Sequence, residues 1–128
     1  MIDMAKDKLS PKTLNEFLQG KSDHTVELFN YLIKKFRIVG PVQVLPAKTM
    51  IGLATPRKRI AYITQLGRTF VHVIFPFAVP HTENLCFQKI AQVPGDAKQY
   101  NHHLRLFNKE DINDEVMRFI KLAWQEGS

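Results

Sequence analysis

The side chains able to do chemistry in this chain are mostly cationic or imidazole. Arg57, Lys58 and Arg59 stand together in a turn, Lys48 and Arg68 flank neighbouring apolar segments, and Arg105 follows the adjacent pair His102-His103. Backbone N–H groups and basic side chains at such turns hold phosphate oxygens. Lys48, Arg57, Lys58, Arg59, Arg68 and Arg105 are therefore candidate phosphate contacts, although a solvated, aggregation-resisting loop is the plainer account of the Arg57 turn. In a meander, Lys48 and Arg68 fall at the end of the sheet opposite Arg57, so the charge is divided between two ends.

His72 lies within an otherwise apolar segment, where a hydrogen-bonded structural role is commoner than ligation. Its face depends on the turn before it. A three-residue turn, Leu66-Gly67-Arg68, sets Tyr62 opposite His72; a two-residue turn sets Ala61 there, and a shift of one residue reverses every side chain. His102 and His103 must point to opposite faces of a strand, so at most one of them joins any site. His72 and His103 complete the set of candidate ligand-binding residues. A metal site built from them plus a carboxylate has no H-x-H or H-x₃-H spacing behind it, so neither a metal nor a cofactor is expected. No G-x-S-x-G, glycine-rich phosphate loop or paired loop carboxylates appear, and no catalytic residue is expected. Cys86, the sole cysteine, excludes an internal disulfide and reads as a small core residue.

With 128 residues, 45% of them hydrophobic, the chain is expected to form one domain, residues 22–128 as its core and residues 1–21 as an N-terminal extension carrying a short helix. Eighteen Lys and Arg against twelve Asp and Glu give a formal net charge of +6, which favours anionic partners. MIDMAKDKLS has no continuous apolar run, so neither a signal peptide nor a membrane span is expected there, and the protein is expected to be soluble and cytoplasmic.

The elements that must position these groups are legible in outline. Ser10-Pro11 opens a short helix through Leu14, Phe17 and Leu18, ended by Gly20. Ser22 or Asp23 caps a longer helix whose stripe is Val26, Phe29, Leu32, Ile33 and Phe36, stopped by Gly40-Pro41. Strands are expected over Val42 to Leu45, Thr49 to Ala54, Arg59 to Gln65, Thr69 to Phe75 and Tyr100 to Phe107. Between the last two, Ala78 to Gln99 reads as irregular with one turn of helix, because Pro80, Asn84, Pro94 and Gly95 interrupt it. A closing helix carries Ile112, Val116, Phe119, Ile120, Ala123 and Trp124, with Asp111, Asp114 and Glu115 at its acidic start. The expected architecture is α+β, an antiparallel meander of about four to five strands with the N-terminal helices and the C-terminal helix on one face.

The segments LPAKTMIGL, RKRIAYITQLGRTFVHVIFPF, NLCFQKIAQVPG, YNHHLRLF and EDINDEVMRFIKLAW resemble the bacterial domain of unknown function 5655 family from about Asp23 onward. Lys48-Thr49, Asp111, Asp114 and the closing helix carry the likeness, which implies a framework and no established activity. The order of elements is also similar to that of frataxin-like small domains, a likeness of fold that transfers no function. The leading expectation is a non-enzymatic binding module for nucleic acid or another phosphate-bearing polyanion. The alternatives are a homodimeric protein-interaction or small-molecule domain, since Phe70 and Ile74 leave one strand face and Val71, Val73 and Phe75 the other, and a cryptic metal or enzymatic domain using His72, His103 and Tyr62.

Overall fold

The computed structural model describes residues 12–128. A short helix, α1 (Leu14–Leu18), and a long one, α2 (Asp23–Val39), precede strands β1 (Gln43–Pro46), β2 (Ile51–Ala54), β3 (Arg59–Leu66), β4 (Val71–Phe77), β5 (Lys89–Gln92) and β6 (Tyr100–Leu106), and helix α3 (Asp114–Gly127) closes the chain. The strands form one antiparallel sheet in the order β1-β2-β3-β4-β6-β5. The fold is α+β as expected, with six strands rather than four or five.

The additional strand is β5, which lies inside the segment expected to be irregular, and no helix forms there. With Pro94-Gly95 just beyond it, β5 is too short to show a period. It is defined by pairing with β6, from Lys89 opposite His103 to Gln92 opposite Tyr100. Gly95, at φ +81°, supplies the left-handed residue of the connecting turn, which Val93 N–H closes on the Gln99 carbonyl at 2.9 Å.

Ser10-Pro11 lies outside the described residues. α1 is capped by Thr13, whose hydroxyl accepts Glu16 N–H at 3.2 Å while Glu16 accepts Thr13 N–H at 2.9 Å. The bond from Thr13 N–H also lowers the pKa of the Glu16 carboxyl. Ser22 caps α2 and donates to the Arg68 carbonyl at 2.7 Å, and the buried Thr25 hydroxyl donates to the Gly67 carbonyl. The β3–β4 turn is thereby pinned to the start of α2. The buried stripe of α2 contains Leu28 in place of the expected Val26. Asp111 falls in a 3₁₀ turn, Lys109–Asp111, before α3, its carboxylate accepting Phe107 and Asn108 N–H; Asn113 caps α3 by accepting Val116 N–H at 3.0 Å.

Besides a shift between Leu53 and Ala54 that sets Arg59 opposite Ala54, two irregularities set the register of β3 on β4. The β3–β4 loop has four residues, Gly67 to Phe70, closed by Gly67 N–H on the Phe70 carbonyl, so Gln65 stands opposite His72 in place of Tyr62 or Ala61. A bulge at Thr64 then brings Tyr62 opposite Ile74. β4 continues past its expected end at Phe75 because at Pro76, which has no N–H, it pairs with β6 alone.

α2 and α3 cover one face of the sheet. The core joins Phe29, Leu32 and Phe36 of α2 and Val116, Phe119 and Ile120 of α3 to Ile51, Leu53, Ile63, Val71, Val73, Phe75, Leu104 and Leu106 of the strands. Gly40 ends α2 against Trp124, where a Cβ would lie only 2.2 Å from the indole. The indole N–H donates to the Pro41 carbonyl at 3.3 Å. Among the described residues no helix is long and apolar enough to cross a membrane.

Candidate functional site

Side chains alternate across a strand, so those between the core positions point to the face without helices. One row crosses that face: Gly52, Tyr62, Ile74, His103 and Lys89, each opposite the next on the adjacent strand. At about 4.8 Å per strand the row spans roughly 19 Å. Its first position is taken by a neighbour, since the Arg59 side chain lies where a Gly52 Cβ would point, with Nε at 3.0 Å and Cδ at 3.2 Å from that point. Glycine at 52 thus leaves room for the Arg59 side chain to lie across β2. Tyr62, Ile74 and His103 are half-buried, so the row has an apolar centre between cationic ends. Beside it, Met50, Tyr62, Thr64, Ile74, Gln99 and Asn101 line a shallow groove of about 260 Å³.

A second row, Gln65, His72 and Arg105, is wired to the first. Arg105 Nε lies 3.3 Å from His72 Nδ1, and His72 Nε2 lies 2.9 Å from His103 Nδ1. A guanidinium only donates, so His72 Nδ1 is the acceptor and its proton is on Nε2. That proton is donated to His103 Nδ1, which places the His103 proton on Nε2. Among the described residues no side chain or backbone carbonyl accepts it. Arg105 also stacks 4.1 Å from the Phe70 ring centroid, which holds the head of the chain in place. The arrangement presents donors outward and uses its own acceptors internally, which suits an anion.

Of the sequence candidates, Arg59, His72, His103 and Arg105 meet on this face. Lys48 and Arg68 stand in turns at one end of the sheet, whereas Arg57 and Lys58 stand at the other. Arg57 turns away from the open face, its guanidinium donating to the Ser128 carbonyl. Arg57 and Arg59, two residues apart in sequence, therefore serve different surfaces. Sequence reasoning misses Lys89 and Gly52, the first because β5 has no local signature and the second because its role appears only with Arg59 above it. One signal for the face is present in the chain: no Asp or Glu occurs from Leu28 to Thr82, nor in any of the six strands.

His102 points the other way. It is fully buried, its Nδ1–H donating to the Tyr100 carbonyl at 2.7 Å and its Nε2 accepting His81 N–H at 3.0 Å, with the Phe77 and Phe87 rings edge-on to it. Cys86 is half-buried against the core; burial, reinforced by the Glu115 carboxylate, pushes its thiol up to about 12, which leaves it without nucleophilic character at neutral pH. Among the described residues no three His, Cys, Asp or Glu side chains lie together so as to hold a metal ion.

Burial is the first cause that lowers the pKa of His72, His102 and His103; neighbouring imidazoles at His72 and His102, Arg105 at His72 and Lys89 at His103 act in the same direction. Each ring therefore binds a proton less readily in the fold than at its ordinary 6.5 in the unfolded chain. Stability is full above that value and falls as pH drops through the window beneath it. Urea midpoints should decline between about pH 7 and pH 5, and His72→Gln should flatten part of the decline. Equal midpoints at both ends would contradict the neutral-imidazole assignment.

No family model, curated protein or solved structure matches the chain.

Proposed function

We propose that this chain is a binding module that takes single-stranded nucleic acid across the open face of its sheet. The observation that supports this reading is the cross-strand row, in which half-buried Tyr62 and Ile74 lie between Arg59 on one side and His103 with Lys89 on the other. A single strand sets its bases against such a centre and its phosphates against the flanking cations; each stacked base contributes about 1–3 kcal/mol. A duplex offers mainly its backbone and leaves Tyr62 and Ile74 uncovered. Membership of the domain of unknown function 5655 family stays part of the proposal and adds no activity to it.

Anisotropy of a labelled oligothymidylate, alone and annealed to its complement, tests the reading across a salt series. Phosphate contacts from Arg59, Lys89 and Arg105 give a log–log salt slope of about −2 for the single strand. The single strand should bind more tightly than the duplex. Salt-independent binding, or none at low salt, would contradict the proposal.

A further inference from the structure

The Arg105–His72–His103 chain has two features that a merely structural pair of histidines does not need. Its hydrogen bonds run in one direction, out from a fixed cation towards solvent, and among the described residues no carboxylate bonds to it, Asp111 and Glu115 sharing only a groove with Arg105 at the β6 edge. Across His72 stand Gln65 of β3 and Arg105 of β6; around His103 stand Ile74 of β4, with Tyr62 beyond it on β3, and Lys89 of β5. All are cationic or uncharged at neutral pH. Among the described residues, a proton added to either ring has no resident counter-charge.

We propose that a phosphodiester on the open face binds together with one proton, taken from solvent by the His72–His103 pair, and that this uptake releases Arg105 to the ligand. The inference rests on the single-strand reading and specifies how that site is regulated. The basic lone pairs of the two rings are His72 Nδ1, which faces Arg105 Nε–H, and His103 Nδ1, which faces His72 Nε2–H. When one proton joins the pair, one ring-to-ring bond is kept by placing it on His103 Nδ1 and donating to His72 Nε2. The His72 proton then resides on Nδ1, where it meets Arg105 Nε–H head-on. That hydrogen bond breaks, and the guanidinium turns from His72 to the phosphate. No covalent bond other than N–H changes, and the net uptake is one proton. The phosphate provides the negative charge that the six strands lack, so it raises the affinity of the pair for that proton, and by reciprocity the proton tightens the phosphate. Burial and the cations beside the rings oppose protonation of the pair before the ligand arrives.

The test is the affinity for oligothymidylate at constant ionic strength between about pH 8 and pH 5.5, a range in which neither its phosphodiesters nor its bases titrate; the wild-type chain is compared with His72→Gln/His103→Gln, folding being checked by circular dichroism. Wild-type affinity should rise by up to tenfold per pH unit, the limit for one proton, and calorimetry in two buffers of different ionisation enthalpy should show uptake of about one proton. The double variant should bind without that slope. Wild-type binding that is constant with pH overturns the coupling and leaves the single-strand reading standing. The same slope in both proteins overturns it by placing the proton elsewhere. No binding at any pH overturns the reading beneath it as well.

Discussion

Reversing the charge at Arg59 and Arg105 together should weaken binding of a single-stranded oligonucleotide by about a hundredfold at low salt, from roughly 1.4 kcal/mol at each position. The two arginines lie far apart in sequence and reach the same sheet face by different routes, Arg59 by lying over Gly52 and Arg105 by stacking on Phe70. Neither side chain belongs to the core, so the variant is expected to fold. The control is Arg57→Glu/Lys58→Glu, next to Arg59 in sequence but at the sheet end where Arg57 bonds the Ser128 carbonyl. There the loss should be no more than about threefold, the size of a general change in net charge. Equal losses in the two double variants would mean that total charge, rather than the open face, governs binding.

Phe75→Ala should lower the free energy of unfolding by about 3–5 kcal/mol, a large part of the stability of a domain of this size. Phe75 is fully buried in the middle of the helix-covered face. Its ring centroid lies 5.5 Å from Phe77 and 6.1 Å from Phe36, with Phe87 edge-on at 6.3 Å. These rings tie β4 to α2 and to the segment before β5, so truncation leaves a cavity that no single element can collapse into. Leu85, 95% exposed, is the comparison, and its replacement by Ala should change stability by no more than about 0.5 kcal/mol. Urea titrations give both values, and a loss below about 1.5 kcal/mol for Phe75→Ala would contradict the packing described.

Most of the framework is legible in the amino-acid sequence because it is written in local patterns. The apolar spacing of α3 and the stripe of α2 follow a helical period, and β2, β3 and β4 are β-branched and aromatic runs broken by Thr55-Pro56 and Gly67. What escapes such patterns is settled by distant partners. β5 exists because β6 pairs with it, Pro76 stays in β4 because β3 no longer pairs there, and His72 has its register from a four-residue loop pinned to Ser22 and Thr25. The site divides in the same way. Arg59, His72, His103 and Arg105 stand out by residue type, and the opposite facing of His102 and His103 follows from strand alternation. Their meeting depends on β6 lying beside β4, on the bulge at Thr64 and on the bare Cα of Gly52, none of which a local pattern encodes.

The measurement that tests the open-face reading most directly is an amide chemical-shift titration of the ¹⁵N-labelled chain with oligothymidylate at low salt. Shifts should concentrate at Gly52, Tyr62, Ile74, Lys89, His103 and Arg105, while Leu32 of α2 and Ile120 of α3 stay in place. Shifts centred on the helices or on the Arg57–Lys58 turn, or a spectrum unchanged at saturating oligonucleotide, would contradict it.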